Sequence, residues 1–262
     1  MTRFAAFFLM YFLFQLCPAT AQKNPDCCGR SVQVFPNNVN IPANGAFLID
    51  FCEEKYQLQH EFEDLIFRAV TSSGKRYRLK VIEANFSGSM GQLLLKPRRN
   101  IKIDDTVSIH ISMKRRDGLT PKIKEFDRSI NYRKWVSRFR PDHILPYWTR
   151  QPETLLSNYT KEIVRGYNVG INHTVTDNSR SEAYTLGDYD WLPVYLCVEF
   201  EGQRFICSGD HTTPTIGRSD VCGGNFEFAY NRPYVAKIWV VDVCGNFSEE
   251  AKFLPFVAKV TE

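Results

Sequence analysis

Apolar and polar residues alternate in short runs along most of the chain, and the runs are separated by turn-forming residues. Ser31-Val32-Gln33-Val34-Phe35 alternates until Pro36-Asn37-Asn38 breaks it. Val39 to Gly45 reads as an extended corner, and Ala46 to Phe51 as the next strand. Leu65–Val70 and Tyr77–Ile82 flank Ser72-Ser73-Gly74-Lys75, a hairpin turn by its chemistry. Gln92–Pro97 and Thr106–Ile111 follow. Strands at intervals of about 8–12 residues, with no sustained 3.6-residue period, predict an antiparallel sandwich. Glu53 to Asp64 is the one stretch that reads as a short helix.

The second half repeats the style. Strands are predicted at Ile163–Val169, Asn172–Thr176, Leu192–Phe200, Gln203–Cys207, Asn225–Tyr230, Tyr234–Val241 and Phe253–Val260. The expected fold is all-β: two tandem antiparallel β-sandwich domains.

The first residues depart from this pattern. Arg3 precedes the apolar run Phe4–Phe14, Pro18 interrupts it, and Ala19-Thr20-Ala21 forms an A-x-A cleavage site. That sequence predicts a secretory signal peptide over 1–21 and an exported chain from Gln22. No later stretch is apolar for the roughly 20 residues that a spanning helix needs, so no membrane span is expected in the mature chain.

Charge divides the rest into three. Residues 22–120 carry 15 basic and 11 acidic groups, residues 121–141 carry 7 and 2, and residues 142–262 carry 10 and 16. The expected organisation is a first immunoglobulin-like sandwich over 22–120, a basic connector over 121–141 and a second sandwich over 142–262. The whole-chain balance of +4 is too mild to indicate a nucleic-acid binder. Within the basic stretch, Lys114, Arg115, Arg116, Arg133, Lys134, Arg138 and Arg140 are candidate anion-binding residues, with Tyr132, Trp135 and Phe139 between them. The competing interpretation is a connector whose charges face water or the acidic half.

Seven cysteines follow the cleavage site, and in an oxidising compartment they read as disulfides before metal ligands. Counting outward from Phe200 opposite Arg204 sets Cys197 against Cys207. Counting from a turn near Arg232 or Pro233 brings Cys222 level with Cys244. Cys52 ends a strand expected beside Val32–Phe35, which places it near Cys28. Cys27 is then the free thiol, and a Cys27-linked homodimer is an option.

Asp242-Val243-Cys244-Gly245-Asn246-Phe247-Ser248 resembles the D-x-A-G-N-x-S ending of bacterial immunoglobulin-like and fibronectin type III-like surface repeats. Val34–Asn44 resembles their opening strand and corner, and Leu95-Lys96-Pro97 one of their later strands. Cys244 stands where those repeats usually have a small apolar residue, which fits a disulfide-locked variant. The resemblance implies architecture and an extracellular or cell-surface location rather than chemistry.

Motifs for catalysis are sparse. There is no G-x-S-x-G, P-loop or dinucleotide fingerprint, and His60, His110, His143, His173 and His211 lie in five unrelated settings. His60–Asp64 and Gly187–Trp191 are acidic clusters without the ligand order of a calcium loop. No cofactor and no metal is expected. Asn85, Asn158, Asn172 and Asn246 begin N-x-S/T sequons, which would mark exposed loops in a glycosylating host. The expectation is a secreted or cell-surface, non-catalytic protein that contacts an unidentified protein or glycan, with no role for nucleic acid. The alternative is a secreted hydrolase or carbohydrate-binding protein with a site between the domains, where clefts form.

Overall fold

A computed structural model of the chain describes residues 32–87, 90–114, 118–159, 165–172, 175–176, 194–207, 215–220, 223–224, 226, 228 and 231–257. The predicted signal peptide, the vicinal Cys27 and Cys28, and Cys222 lie outside these residues. The fold is all-β, as expected.

The first unit has eight strands: Val32–Phe35 (β1), Asn40–Pro42 (β2), Phe47–Cys52 (β3), Leu65–Thr71 (β4), Arg76–Ser87 (β5), Met90–Pro97 (β6), Thr106–Met113 (β7) and Trp135–Phe139 (β8). They pair in the order β1-β3-β6-β5-β4-β7-β8-β2. Long β5 joins two faces of the sandwich, because its first residues pair with β4 and its later ones with β6. A register shift between Val81 and Glu83 bends it at the crossing. Tyr77, Leu79 and Val81 before the bend, and Ala84 and Phe86 after it, keep facing one apolar core.

The basic stretch 121–141 is built into this unit instead of running between units, which corrects the expected connector. Pro121–Asn131 is a helix (α2), following a single turn at Glu53–Tyr56 (α1). Thr120 caps α2 by accepting from the Ile123 amide, and Pro121 occupies its first turn. Ile123, Phe126 and Ile130 form its apolar stripe, all buried in the first core. β8 then runs parallel to β2 and contributes Trp135, which is fully buried and edge-on to Phe47. The core demands these side chains, so the segment cannot hang free.

The second unit contains Tyr147–Trp148 (β9), Glu153–Tyr159 (β10), Arg165–Asn172 (β11), Val175–Thr176 (β12), Tyr195–Phe200 (β13), Gln203–Cys207 (β14), Thr215–Asp220 (β15), Gly223–Gly224 (β16), Pro233–Val241 (β17) and Lys252–Val257 (β18). Its sheets run β14-β13-β17-β18 and β10-β11-β15-β16, with β9 paired to β12. An aromatic group of Phe200, Phe226, Phe228, Tyr234 and Phe256 fills its core, with ring centroids 5.0–6.1 Å apart. Phe226 and Phe228 reach this core from irregular backbone, not from the strand expected over 225–230.

Candidate functional site: the joint between the two units

Sheet β1-β3-β6-β5 is buried on both faces. Its inner face carries Phe47, Ile49, Phe51, Leu93 and Leu95 into the first core. Its outer face presents Phe35, Leu48 and Leu94, opposite one another in register, to Tyr195, Cys197, Ile206 and Val241 of the second unit. Two sheets thus meet face to face across a continuous apolar layer.

Two amide side chains in this layer are matched to backbone groups. Gln92 is 1% exposed and lies one row along from Leu94. Its Nε2 donates to Ile206 O at 2.8 Å and to Asp50 Oδ1 at 2.7 Å, while its Oε1 accepts from Ile206 N at 2.7 Å. β14 is an edge strand, and the carboxamide stands in for the missing neighbouring backbone. Asn44 does the same for Asp142: its Oδ1 accepts from the Asp142 amide at 2.9 Å, and its Nδ2 donates to the Asp142 carbonyl.

The turn that carries the family resemblance closes the joint. Asp242, 1% exposed, accepts from the amides of Cys244 and Asn246 and from Asn246 Nδ2 at 2.7–2.8 Å. Ser248 Oγ accepts from the Val240 amide at 3.1 Å. The turn so formed docks on the first unit. Ala46 N donates to Val243 O at 2.8 Å, Lys96 Nζ to Asn246 Oδ1 at 2.8 Å, and the Cys244 thiol to Asn44 Oδ1 at 3.2 Å. Gly245 has φ +71°, and a Cβ there would come within 3.0 Å of Ala46 Cβ and Ile82 Cδ1.

A charged cluster borders the joint. Arg204 pairs with Glu83 across it at 3.2 Å, and its guanidinium lies 4.7 Å from the Trp239 ring centre. Lys237 lies 4.5 Å from that same ring centre. Burial pushes the Glu83 carboxyl above its usual range, against the pull of Arg204.

The expected cysteine pairing is corrected at two places. Glu201 and Gly202 both have positive φ and form the hairpin turn alone, so Phe200 lies opposite Gln203 instead of Arg204. That one-residue slip sets Cys197 opposite Ile206 and Cys207 opposite Leu196. The two thiols therefore point to opposite faces of the sheet, Cys197 into the joint and Cys207 into the second core. Neither forms a disulfide, and nor does Cys244, so the expected Cys197–Cys207 and Cys222–Cys244 bridges are absent. Cys52 is disulfide-bonded, and its partner lies outside the described residues.

The basic candidates do not gather on one face. Lys114 donates to the Glu63 carbonyl at one end of β7, whereas β8 pairs with the other end. Arg115 and Arg116 lie outside the described residues. Arg133 donates to Val34 O and Asn37 Oδ1, and Arg138 pairs with Asp104, leaving Lys134 and Arg140 exposed without a side-chain partner among the described residues. His60 ends a 3-10 turn, and His110 Nε2 lies 3.0 Å from Ser108 Oγ on β7. Among the described residues no three His, Cys, Asp or Glu side chains are grouped to hold a metal, and the cluster at 187–191 falls outside them. Two sequons do not mark exposed loops: Asn85 lies within β5 with a buried Nδ2, and Asn246 is held in the joint.

No family model matches the chain, and no curated protein matches it. Similar solved structures include pullulanase type I from Bacillus subtilis str. 168 in complex with maltose, at 8% identity and a TM-score of 0.24, over 85% of this chain. The chain spans 24% of that pullulanase's length. The fibronectin(III)-like modules of Clostridium thermocellum CbhA match at 6% identity and a TM-score of 0.25, over 87% of this chain and 94% of that one. Similarities this slight carry no functional weight.

Proposed function

We propose that the chain is a secreted or cell-surface, non-catalytic protein of bacterial immunoglobulin-like or fibronectin type III-like sandwiches, working through protein or glycan contacts. The observation that supports this best is the filled joint. An enzyme with its site between the units needs a cleft there with titratable groups free to act. Here Gln92 and Asn44 spend their hydrogen bonds on the backbone of Ile206 and Asp142, and Asp242 and Asn246 spend theirs on shaping the turn that docks at the joint. The A-x-A pattern at Ala19–Ala21 supports export, and the bonded Cys52 suits an oxidising compartment.

The test is to incubate the mature chain with neutral and acidic polysaccharides and with a surface-protein extract, measuring retention and polymer length together. Retention with unchanged polymer length is the expected result. Progressive shortening of any polymer would contradict the non-catalytic assignment.

A further inference from the structure

The open face of the first unit carries a row of cations without carboxylate partners among the described residues. Arg76, Arg78 and Lys80 are the outward residues in the first half of β5, alternating with Tyr77 and Leu79 in the core, and all three are exposed. Arg78 lies directly opposite Arg68 on β4, and Lys80 stands at the border with the joint, opposite Lys96, whose ammonium is held by Asn246. Arg68 in turn faces His110 on β7. The Arg98 amide donates to Arg78 O, which brings the next loop and its cation alongside.

Like charges directly opposite on a sheet face are destabilising. Among the described residues, no acidic side chain stands outward on β4 or β7 to offset them. The other outward positions are Ile66 and Val70 on β4, and Thr106, Ser108 and Ser112 on β7, none of them acidic. Lys55, Lys75, Arg138 and Arg204 each face a carboxylate. By contrast, Arg76, Arg78 and Lys80 have no carboxylate partner among the described residues. Their charges are open to an anionic group on another molecule.

We propose that this face binds an acidic or sulfated glycan chain, which rests on the assignment of the protein as an exported, non-catalytic binder. Cations about 6–7 Å apart along a strand and about 5 Å apart across strands match an extended polymer with an anionic group on each repeat. Arginine forks bind sulfate and carboxylate oxygens two at a time. No aromatic side chain points outward here to insert into a bilayer. Among the described residues the second unit packs on the outer face of β1, β3 and β6, and Arg76, Arg78 and Lys80 remain exposed.

The experiment uses the mature chain on immobilised heparin, with uncharged dextran as the control. The wild-type chain is expected to be retained at low ionic strength and released as salt screens the contacts. Changing Arg76, Arg78 and Lys80 together to Gln should weaken retention by about tenfold or more. The same changes should leave the melting temperature unchanged or raised, since they relieve like-charge contacts. Changing Lys134, Arg138 and Arg140 to Gln should leave retention intact. A wild-type chain that ignores heparin at low salt overturns the proposal, and so does loss of binding in the second set but not the first. Equal, triple-variant-sensitive retention of duplex DNA or of phosphatidylserine vesicles would overturn the glycan assignment. Retention of a neutral polymer or protein without heparin binding would sink this inference alone. Shortening of the heparin would sink the non-catalytic assignment instead.

Discussion

The carboxamide of Gln92 bonds both backbone groups of Ile206, 114 residues away in sequence, and so seals an edge strand of one unit onto a sheet of the other. A glutamine side chain has the same donor and acceptor pair as a peptide group, so it can replace a strand neighbour at a single position.

Gln92→Ala should therefore destabilise the whole chain. It orphans a buried N–H and a buried C=O, each costing on the order of 1–3 kcal/mol. Gln92→Glu should also destabilise, because the new carboxylate cannot donate to Ile206 O and stands beside Asp50. Urea unfolding of both variants checks this, and an unchanged midpoint would show that water replaces the amide freely.

Alkaline pH should weaken the fold through two thiols. Burial pushes the Cys197 thiol from 9.0 up to about 12. Burial, together with Asp242 and Asp142, pushes Cys244 up as well. Below the unfolded value both states hold the proton and the thiols cause no loss. As pH rises from about 9 toward 12, the unfolded chain gives up protons that the folded chain keeps, so stability falls. Changing both cysteines to Ala should flatten this part of the profile, as measured by urea midpoints at about pH 8 and about pH 10. An identical slope with and without the thiols would exclude them as its source.

Gly245→Ala should cost about 1–3 kcal/mol from its left-handed backbone, with a further penalty from crowding against Ala46 and Ile82. Calorimetry of the variant should show a lower melting temperature. Gly202→Ala is the matched control, since it has positive φ but open space around it.

We predict that Cys52 is joined to Cys28, leaving Cys27 free. β1 runs antiparallel to β3 with Val32 opposite Phe51, so β1 begins at the end of β3 where Cys52 lies. Peptide mapping without reductant should find the Cys28–Cys52 pair, and should find Cys197, Cys207 and Cys244 alkylated only after unfolding. A Cys27–Cys52 peptide would refute the pairing.

Much of the first unit is legible from alternation, because its core-facing strands have one wet face. β4, with every other residue buried, is the clear case. The joint was legible too, though in a subtler signal. Phe47-Leu48-Ile49 and Leu93-Leu94-Leu95 are continuous apolar runs, which a strand carries when both faces are buried. The α2 helix shows a Thr-Pro start and apolar residues at 123, 126 and 130, but this three-residue stripe is easily masked by the surrounding charges. The cysteine pairing failed on a single residue of register, since a two-residue and a three-residue turn after Phe200 differ little in sequence and reverse which face each thiol meets. The sheet-face cations were hidden for another reason: Arg68 and Arg78 sit on the two arms of one hairpin, and only its exact register sets them opposite each other.

The most direct test of the sealed joint is native-state hydrogen exchange, resolved to individual strands. It would compare amides of β4 and β7, such as Phe67 and Ile109, with amides of β13 and β17, such as Val198 and Ile238. A joint that holds the two units as one body predicts the same opening free energy for both sets in the wild-type chain, and separate values once Gln92 is changed to Ala. Second-unit amides that open at much lower free energy in the wild-type chain, while the first unit stays closed, would contradict it.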